Sequence, residues 1–420
     1  MNSFAYRDGH YYAENVAIRQ IADAVGTPFY CYSRAAIEAR YDALENALRD
    51  FNTLICYAVK ANSNQTLITL LAARGAGADV VSEGEMRRAL AAGIPSSKIV
   101  YSGVAKTVRE IEFALQQDIR QFNVESEQEL GIINATAVRL GKTARVAFRI
   151  NPDVDAGTHE KISTGNSENK FGIALDNAVQ AYDDAKKLPG IEVCGIDLHI
   201  GSQIMNLAPF EAAFSRIAKL TTALRRAGHT ISTIDLGGGL GINYDQQHDK
   251  APAADDYAHI VDKTVGELGC DIIVEPGRSL VGNAGVLVGS VIYTKVNGAT
   301  KFLIIDAAMN DFLRPSMYNA YHSIVGGRQT DAPEEFYDIV GPVCETGDTF
   351  ARRRKLAQQK PGDLVIIEGA GAYGSVMAST YNTRPLVPEV LVDGDEFRVI
   401  RQRPDYDSMI ALDIPWDATR

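Results

Sequence analysis

The sequence is poor in the features that mark secreted, membrane-bound or nucleic-acid-binding chains. Its five cysteines, Cys31, Cys56, Cys194, Cys270 and Cys344, are odd in number and show no CxxC or other metal-type spacing. That disfavours a disulfide framework or a thiolate metal site and fits free thiols in a reducing compartment; no metal is expected. No apolar run approaches the ~20 residues that cross a bilayer. The opening Met1-Asn2-Ser3-Phe4 lacks the basic and apolar regions of a signal peptide, so a cytoplasmic location is expected. Lys/Arg-rich runs are also missing: 42 basic residues against 53 acidic ones give a formal net charge of −11. Nucleic acid and anionic membranes are therefore not expected partners. Low-complexity segments and short-period repeats do not stand out.

What is present is a globular composition, 46% hydrophobic and 23% charged, over 420 residues. That length predicts two domains. The segment from Phe4 to Ala17, with its Asp8-Gly9 turn signal, reads as a hairpin; a helix over Ile18 to Val25 and a strand over Phe29 to Tyr32 follow. From about Ser33 strands and helices alternate. Strands are predicted near 53–59, 78–81, 99–101, 121–124, 145–150, 193–199, 233–236 and 271–275, with amphipathic helices between them, such as 34–48, 83–91, 127–140 and 209–226. Eight such repeats without an evident reversal point favour a closed (β/α)8 TIM-type barrel over a doubly wound sheet. Beyond Glu275-Pro276-Gly277-Arg278 the pattern changes to short strands separated by Gly, Asp and Pro turns, an all-β C-terminal domain that the N-terminal hairpin would complete. The predicted division is residues 1–32, 33–277 for the barrel, and 278–420 for the β-sandwich or barrel domain.

Chemistry concentrates where barrel strands end. Lys60 closes the apolar run from Leu54 to Val59. A lysine at a barrel mouth is either a solvated strand-end charge or, when desolvated, an amine nucleophile toward an aldehyde. Gly237-Gly238-Gly239-Leu240-Gly241 directly follows the seventh strand, where barrel enzymes bind phosphate; a flexible turn is the plainer alternative. Glu275 ends the eighth strand, and a carboxylate at that depth needs a partner, either Arg278 or a protonated ring nitrogen of a bound cofactor. His199 closes the sixth strand, and Ser202 lies three residues on. The histidine reads as a structural hydrogen-bonding residue or as a flat ring stacked on a cofactor. An amine for an imine, an anion cradle and a carboxylate for a pyridinium are together what pyridoxal phosphate requires.

These motifs resemble the fold-type III pyridoxal-phosphate enzymes, with their alanine racemase-like barrel, and the whole chain is similar to the diaminopimelate decarboxylase family among them. The resemblance rests on Tyr57-Ala58-Val59-Lys60-Ala61-Asn62, His199-Ile200-Gly201-Ser202-Gln203, Gly237 to Gly241 and Glu275-Pro276-Gly277-Arg278-Ser279. It continues through Asp311 to Tyr318, Gly341 to Asp348 and Gly369 to Gly374, and so covers almost the full length. It implies pyridoxal 5'-phosphate as the cofactor, bound covalently by Lys60, with His199 stacked on its ring and Glu275 at the pyridine nitrogen. Ser202, Gly237, Gly238, Gly239 and the backbone around Gly277 would hold the phosphate, with help from Tyr373 and Arg278. Asp79 and Arg149 would support the lysine and the cofactor. Cys344 would donate the proton after carboxylate loss, reaching the site from the second subunit of a homodimer. The loop from Gly157 to Phe171, with His159 and Lys170, also matches the family but receives no role.

The family includes ornithine and arginine decarboxylases, so the substrate must be argued from the distal pocket. Arg278, Arg314 and Tyr318, with Tyr373, suit a carboxylate, and Glu345 beside Cys344 suits an ammonium. Both ends of such a substrate carry an amino-acid head, which points to meso-2,6-diaminopimelate and to L-lysine and CO2 as products. The rival readings are a basic amino-acid decarboxylase, a racemase of the same fold, and an inactive homologue that binds the cofactor or a partner.

Overall fold

The computed structural model describes residues 3–155, 157, 170–245 and 248–416. The chain divides into two compact units. One comprises Glu38–Asn243 and Asp249–Leu280; the other comprises Met1–Ile37, Tyr244–His248 and Val281–Arg420. Relative to the predicted divisions at 33 and 277, residues 33–37 fall with the second group and residues 278–280 with the first.

The first unit is a closed parallel barrel. Its strands are β1 (Thr53–Ala58), β2 (Gly77–Val80), β3 (Ile99–Tyr101), β4 (Gln121–Val124), β5 (Ala144–Asn151), β6 (Ile191–Asp197), β7 (Thr233–Asp235) and β8 (Asp271–Val274). Each pairs in parallel with the next, β8 pairs with β1 through Ile272↔Thr53, and no edge is left among these eight. Every residue of β2, β3, β4 and β7 is buried, as expected when helices cover one face of a parallel sheet and packed side chains fill the other. Helix N-caps follow closely on the strand ends. Asn64 caps Gln65–Ala73, Ser82 caps Glu83–Ala91, Ser126 caps Glu127–Leu140, and Thr107 forms a reciprocal capping box with Glu110. These caps stop each strand sharply and hold the intervening side chains at the carboxyl-terminal mouth, the face on which barrel enzymes build their sites.

The second unit is mainly β. The strand Phe29–Ser33 lies between Gly285–Asn297, antiparallel to it, and Glu389–Asp393, parallel to it. The first residues form a three-stranded antiparallel sheet (Phe4–Arg7, His10–Ala13, Val16–Ala17) rather than a two-stranded hairpin. Tyr11, Val16, Ile18 and Phe29 share one apolar core with Val286, Ile366 and Val390, so the N-terminal segment completes the packing of this β unit. No described helix is long and apolar enough to cross a membrane.

Candidate active site

Lys60 sits one position beyond its predicted place. β1 stops at Ala58, and Lys60 is the middle residue of a 3-10 turn over Val59–Ala61. The β1–β2 register puts Ala58 beside Asp79, and from there the turn carries the Lys60 Nζ to 2.6 Å from Asp79 Oδ2. Asp79 is fully buried, whereas the lysine side chain is 35% exposed, so the amine is fixed by a buried anion yet reachable from the mouth. The second carboxylate oxygen of Asp79 has no hydrogen-bond partner among the described residues.

The glycine-rich turn, His199 and Glu275 converge beside this lysine turn. His199 lies two residues past the end of β6, and Glu275 one residue past β8. Gly238 donates its N–H to His199 Nδ1 at 3.2 Å, which makes Nδ1 an acceptor. Burial, with the positive Arg149 and Lys60, pushes the His199 imidazole well below its ordinary pKa, so the ring is neutral. Glycine is required here by close packing. A Cβ on Gly238 would run into the Glu275 carbonyl, one on Gly239 into the Gly201 carbonyl, and one on Gly277 would stand 2.9 Å from Ala61 Cβ. Gly237 and Gly239 also hold left-handed backbones, at φ 64 and φ 106. Arg278 is buried and donates from Nη2 to Ser202 Oγ at 2.9 Å, bringing a guanidinium and a hydroxyl together on this side of the mouth.

Beneath these groups lies a polar floor that isolated sequence positions do not reveal. Glu275 Oε1 accepts from Ser102 Oγ and from Asn123 Nδ2, each at 3.3 Å. The same Asn123 Nδ2 donates to Asp235 Oδ2 at 3.1 Å, and Asp235 Oδ1 accepts the Gly237 N–H at 3.1 Å. The carboxyl oxygens of Asp197, Asp235 and Glu275 lie within 4.8 Å of one another, all buried. Burial and the neighbouring carboxylates push Glu275 well above the ordinary carboxylic range. At the end of β5, Arg149 is buried, pairs with Glu125 at 2.8 Å and lies over the Phe171 ring. Its Nη2 has no hydrogen-bond partner among the described residues. His159 and most of the 157–171 loop lie outside the described residues.

The β unit holds the remaining predicted residues. Arg314 is buried, donates from Nε to His322 Nε2 at 3.3 Å, and lies 4.9 Å from the Tyr244 ring centroid and 5.9 Å from that of Tyr318. Cys344 is the exposed cysteine of the chain, next to Glu345. The loop that carries them is wound on the buried Asp348, whose Oδ2 accepts the Val343 N–H and whose Oδ1 accepts the Met309 N–H, both at 2.7 Å. Tyr373 is half-buried, with a left-handed backbone at φ 54.

Residues 34–282 match the family model described as "Pyridoxal-dependent decarboxylase, pyridoxal binding domain". A diaminopimelate decarboxylase of Zymomonas mobilis is 46% identical over 414 residues, covering 98% of each chain. The chain belongs to the diaminopimelate decarboxylase family. Crystal structures from the family superpose closely on it. The M. jannaschii enzyme, solved in co-complex with L-lysine, has a TM-score of 0.94 at 38% identity and covers 99% of both chains. The Helicobacter pylori enzyme, also complexed with L-lysine, has a TM-score of 0.90 at 43% identity, covering 94% of this chain and 98% of that one.

The family's cofactor is pyridoxal phosphate, and the barrel mouth fits it. The mouth offers an accessible lysine amine held by a buried carboxylate, a neutral imidazole, the buried Glu275 carboxyl, and a corner of glycine backbone next to Arg278 and Ser202. One buried polar atom each of Asp79 and Arg149 at this mouth also lacks a partner among the described residues.

Proposed function

We propose that this chain decarboxylates meso-2,6-diaminopimelate to L-lysine and CO2 in the cytoplasm, as a homodimer with shared active sites. The observation that carries the reading is the single cluster at the barrel mouth: Lys60 on Asp79, with His199, the glycine turn and Glu275 beside it. When bound, pyridoxal phosphate supplies a pyridinium ring that accepts the electron pair left at Cα as CO2 departs. Lys60 is the residue that holds the cofactor covalently, with its amine directed by Asp79. His199 stacks on the ring as a neutral imidazole and adds no second positive charge. Glu275 would stand at the ring nitrogen, where its carboxyl would share a proton with the pyridine and so keep the ring cationic. Asn123 and Ser102 hold that carboxyl in place from below. The phosphate is held by Ser202, Gly237, Gly238, Gly239 and the backbone at Gly277, with Arg278 and the Tyr373 hydroxyl supporting it.

Substrate selection falls to Arg314, Arg278, Tyr318 and Tyr373 for the distal carboxylate and to Glu345 for the distal ammonium. The buried guanidinium of Arg314, flanked by two tyrosine rings, is pre-oriented for a forked carboxylate contact. Cys344 of the partner subunit delivers the proton to Cα. A hydrogen-bonding site of this type rejects an analogue that lacks the matching group by about 10⁴–10⁵. The test is CO2 release by protein loaded with pyridoxal phosphate, comparing meso-diaminopimelate, ornithine and arginine. Preference for either of the last two overturns the substrate reading, and sedimentation as a monomer at assay concentrations overturns the shared site.

A further inference from the structure

The segment Tyr381-Asn382-Thr383-Arg384 is held in a conformation that its residues disfavour. Asn382 and Thr383 are consecutive non-glycine residues with left-handed backbones, at φ 56 and φ 54. Asparagine tolerates this region, but a β-branched threonine is an outlier there, and such backbones persist only where the surroundings impose them. Arg384 supplies the anchor. Its Nε donates to Asn310 Oδ1 at 3.1 Å, its Nη2 donates to the Asp306 carbonyl at 2.6 Å, and Nη2 stands 3.6 Å from Asp311 Oδ2. Asn310 also donates from Nδ2 to the Ser379 carbonyl at 3.0 Å, so both ends of the turn are tied to one buried segment.

The constrained turn reaches the loop that carries Cys344 and Glu345. Asn382 Oδ1 accepts the backbone N–H of Cys344 at 3.1 Å. Asp348 and Ser316 secure the rest of the loop, through the Val343 N–H and the Gly347 carbonyl. Asn382 therefore acts at the position that a proton transfer at this loop would use.

We propose that Asn382 is a positioning residue that sets the direction of the Cys344 thiol. This rests on the proton-donor role proposed above. Asn382 fixes the backbone of the residue that delivers the proton, so it acts on turnover.

The test uses the cofactor-loaded enzyme for kinetics and iodoacetamide alkylation of cofactor-free protein, read residue by residue by mass spectrometry. Cys344 is exposed, Cys270 is half-buried and the other three cysteines are buried, so the thiol of interest is the readily accessible one. Asn382→Gly keeps the left-handed backbone available and removes the acceptor. It should lower kcat about 5–10-fold, leave KM within about twofold, and change the Cys344 alkylation rate at least about threefold. Asn382→Asp, which restores an acceptor, should return kcat toward the parent value. Parent-like kinetics and alkylation in Asn382→Gly, or a lower melting temperature with no kcat–KM split, overturn the proposal. Should Asn382→Gly fail to fold, Asn382→Ala decides, since it too removes the acceptor, and parent-like kcat and Cys344 alkylation there overturn the proposal. Full activity in Cys344→Ala, by contrast, overturns the proton-donor reading itself.

Discussion

Replacing Gly277 with alanine tests whether the lysine turn and the end of β8 are fixed against each other. The Gly277 backbone is not left-handed, so an added methyl acts through contact alone. That methyl would stand 2.9 Å from Ala61 Cβ, 3.1 Å from Ala58 Cβ and 3.4 Å from the Ala58 carbonyl. Carbon atoms in contact settle at about 3.5–4.0 Å, so the closest pair must separate by roughly 0.6 Å or more. Neither alanine methyl can rotate away, because each is bonded directly to the backbone that flanks Lys60. The turn over Val59–Ala61, the segment from Glu275 to Gly277, or both must shift. Overpacking of this kind costs about 1–3 kcal/mol, and sub-ångström displacement of reacting groups should lower kcat by about tenfold. Gly131→Ala is the matched control. That glycine lies on the exposed face of the helix Glu127–Leu140, and an added Cβ meets nothing within 4 Å. It should stabilise by about 0.5–1 kcal/mol through helix propensity. The assay is thermal melting of both variants with a titration of pyridoxal phosphate into cofactor-free protein. Gly277→Ala should melt lower and bind the cofactor more weakly, while Gly131→Ala should do neither. Parent-like melting and cofactor affinity in Gly277→Ala would refute the packing argument.

Other expected outcomes follow from individual side chains. Cys344→Ala should cut turnover by about 10²-fold or more while cofactor affinity stays at the parent value, the pattern of a lost general acid, read by kcat and spectral titration. Arg314→Ala should raise KM for meso-diaminopimelate by about 10²-fold and Arg314→Lys by about tenfold, because lysine keeps the charge but loses the fork. Burial pushes the Glu85 carboxyl from its ordinary 4.5 up to about 7, with Asp79 adding to the shift and the Val81 N–H and Lys60 opposing it. Between these values the folded cofactor-free protein binds more protons than the unfolded chain, so its stability should fall as pH rises from about 4.5 to 7 and then level off. Glu85→Gln should remove that decline and, after allowance for partial solvent screening, stabilise the cofactor-free protein at pH 8 by about 2 kcal/mol. Chemical denaturation at several pH values measures it.

Much of the barrel was legible because each of its strands is a short, nearly continuous apolar run followed by a polar or glycine turn. Ile99–Tyr101 and Gln121–Val124 fall on the predicted residues. The strand ends at the site did not, since Lys60, His199 and Glu275 lie one or two residues past their strands. A ladder ends where its neighbour's pairing ends, as at Ala58↔Asp79, and sequence pattern does not register that partner. The strands Glu334–Val340 and Thr349–Ala357 are harder to read because their exposed residues include Arg352, Arg353 and Lys355, so little apolar alternation survives. The floor of Asn123, Asp197 and Asp235 was missed for another reason. Each comes from a different strand, and only closure of the barrel brings the three within reach of Glu275. The closest available signal was Asp235 standing two residues before Gly237, an Asx spacing that places its carboxylate on the Gly237 N–H.

The most direct test of the account is to load the protein with pyridoxal phosphate, reduce it with borohydride, and locate the attached group by peptide mass spectrometry. The account predicts stoichiometric modification of Lys60, with none in Lys60→Ala. Attachment chiefly at another lysine, or CO2 release from meso-diaminopimelate undiminished in Lys60→Ala, would contradict it.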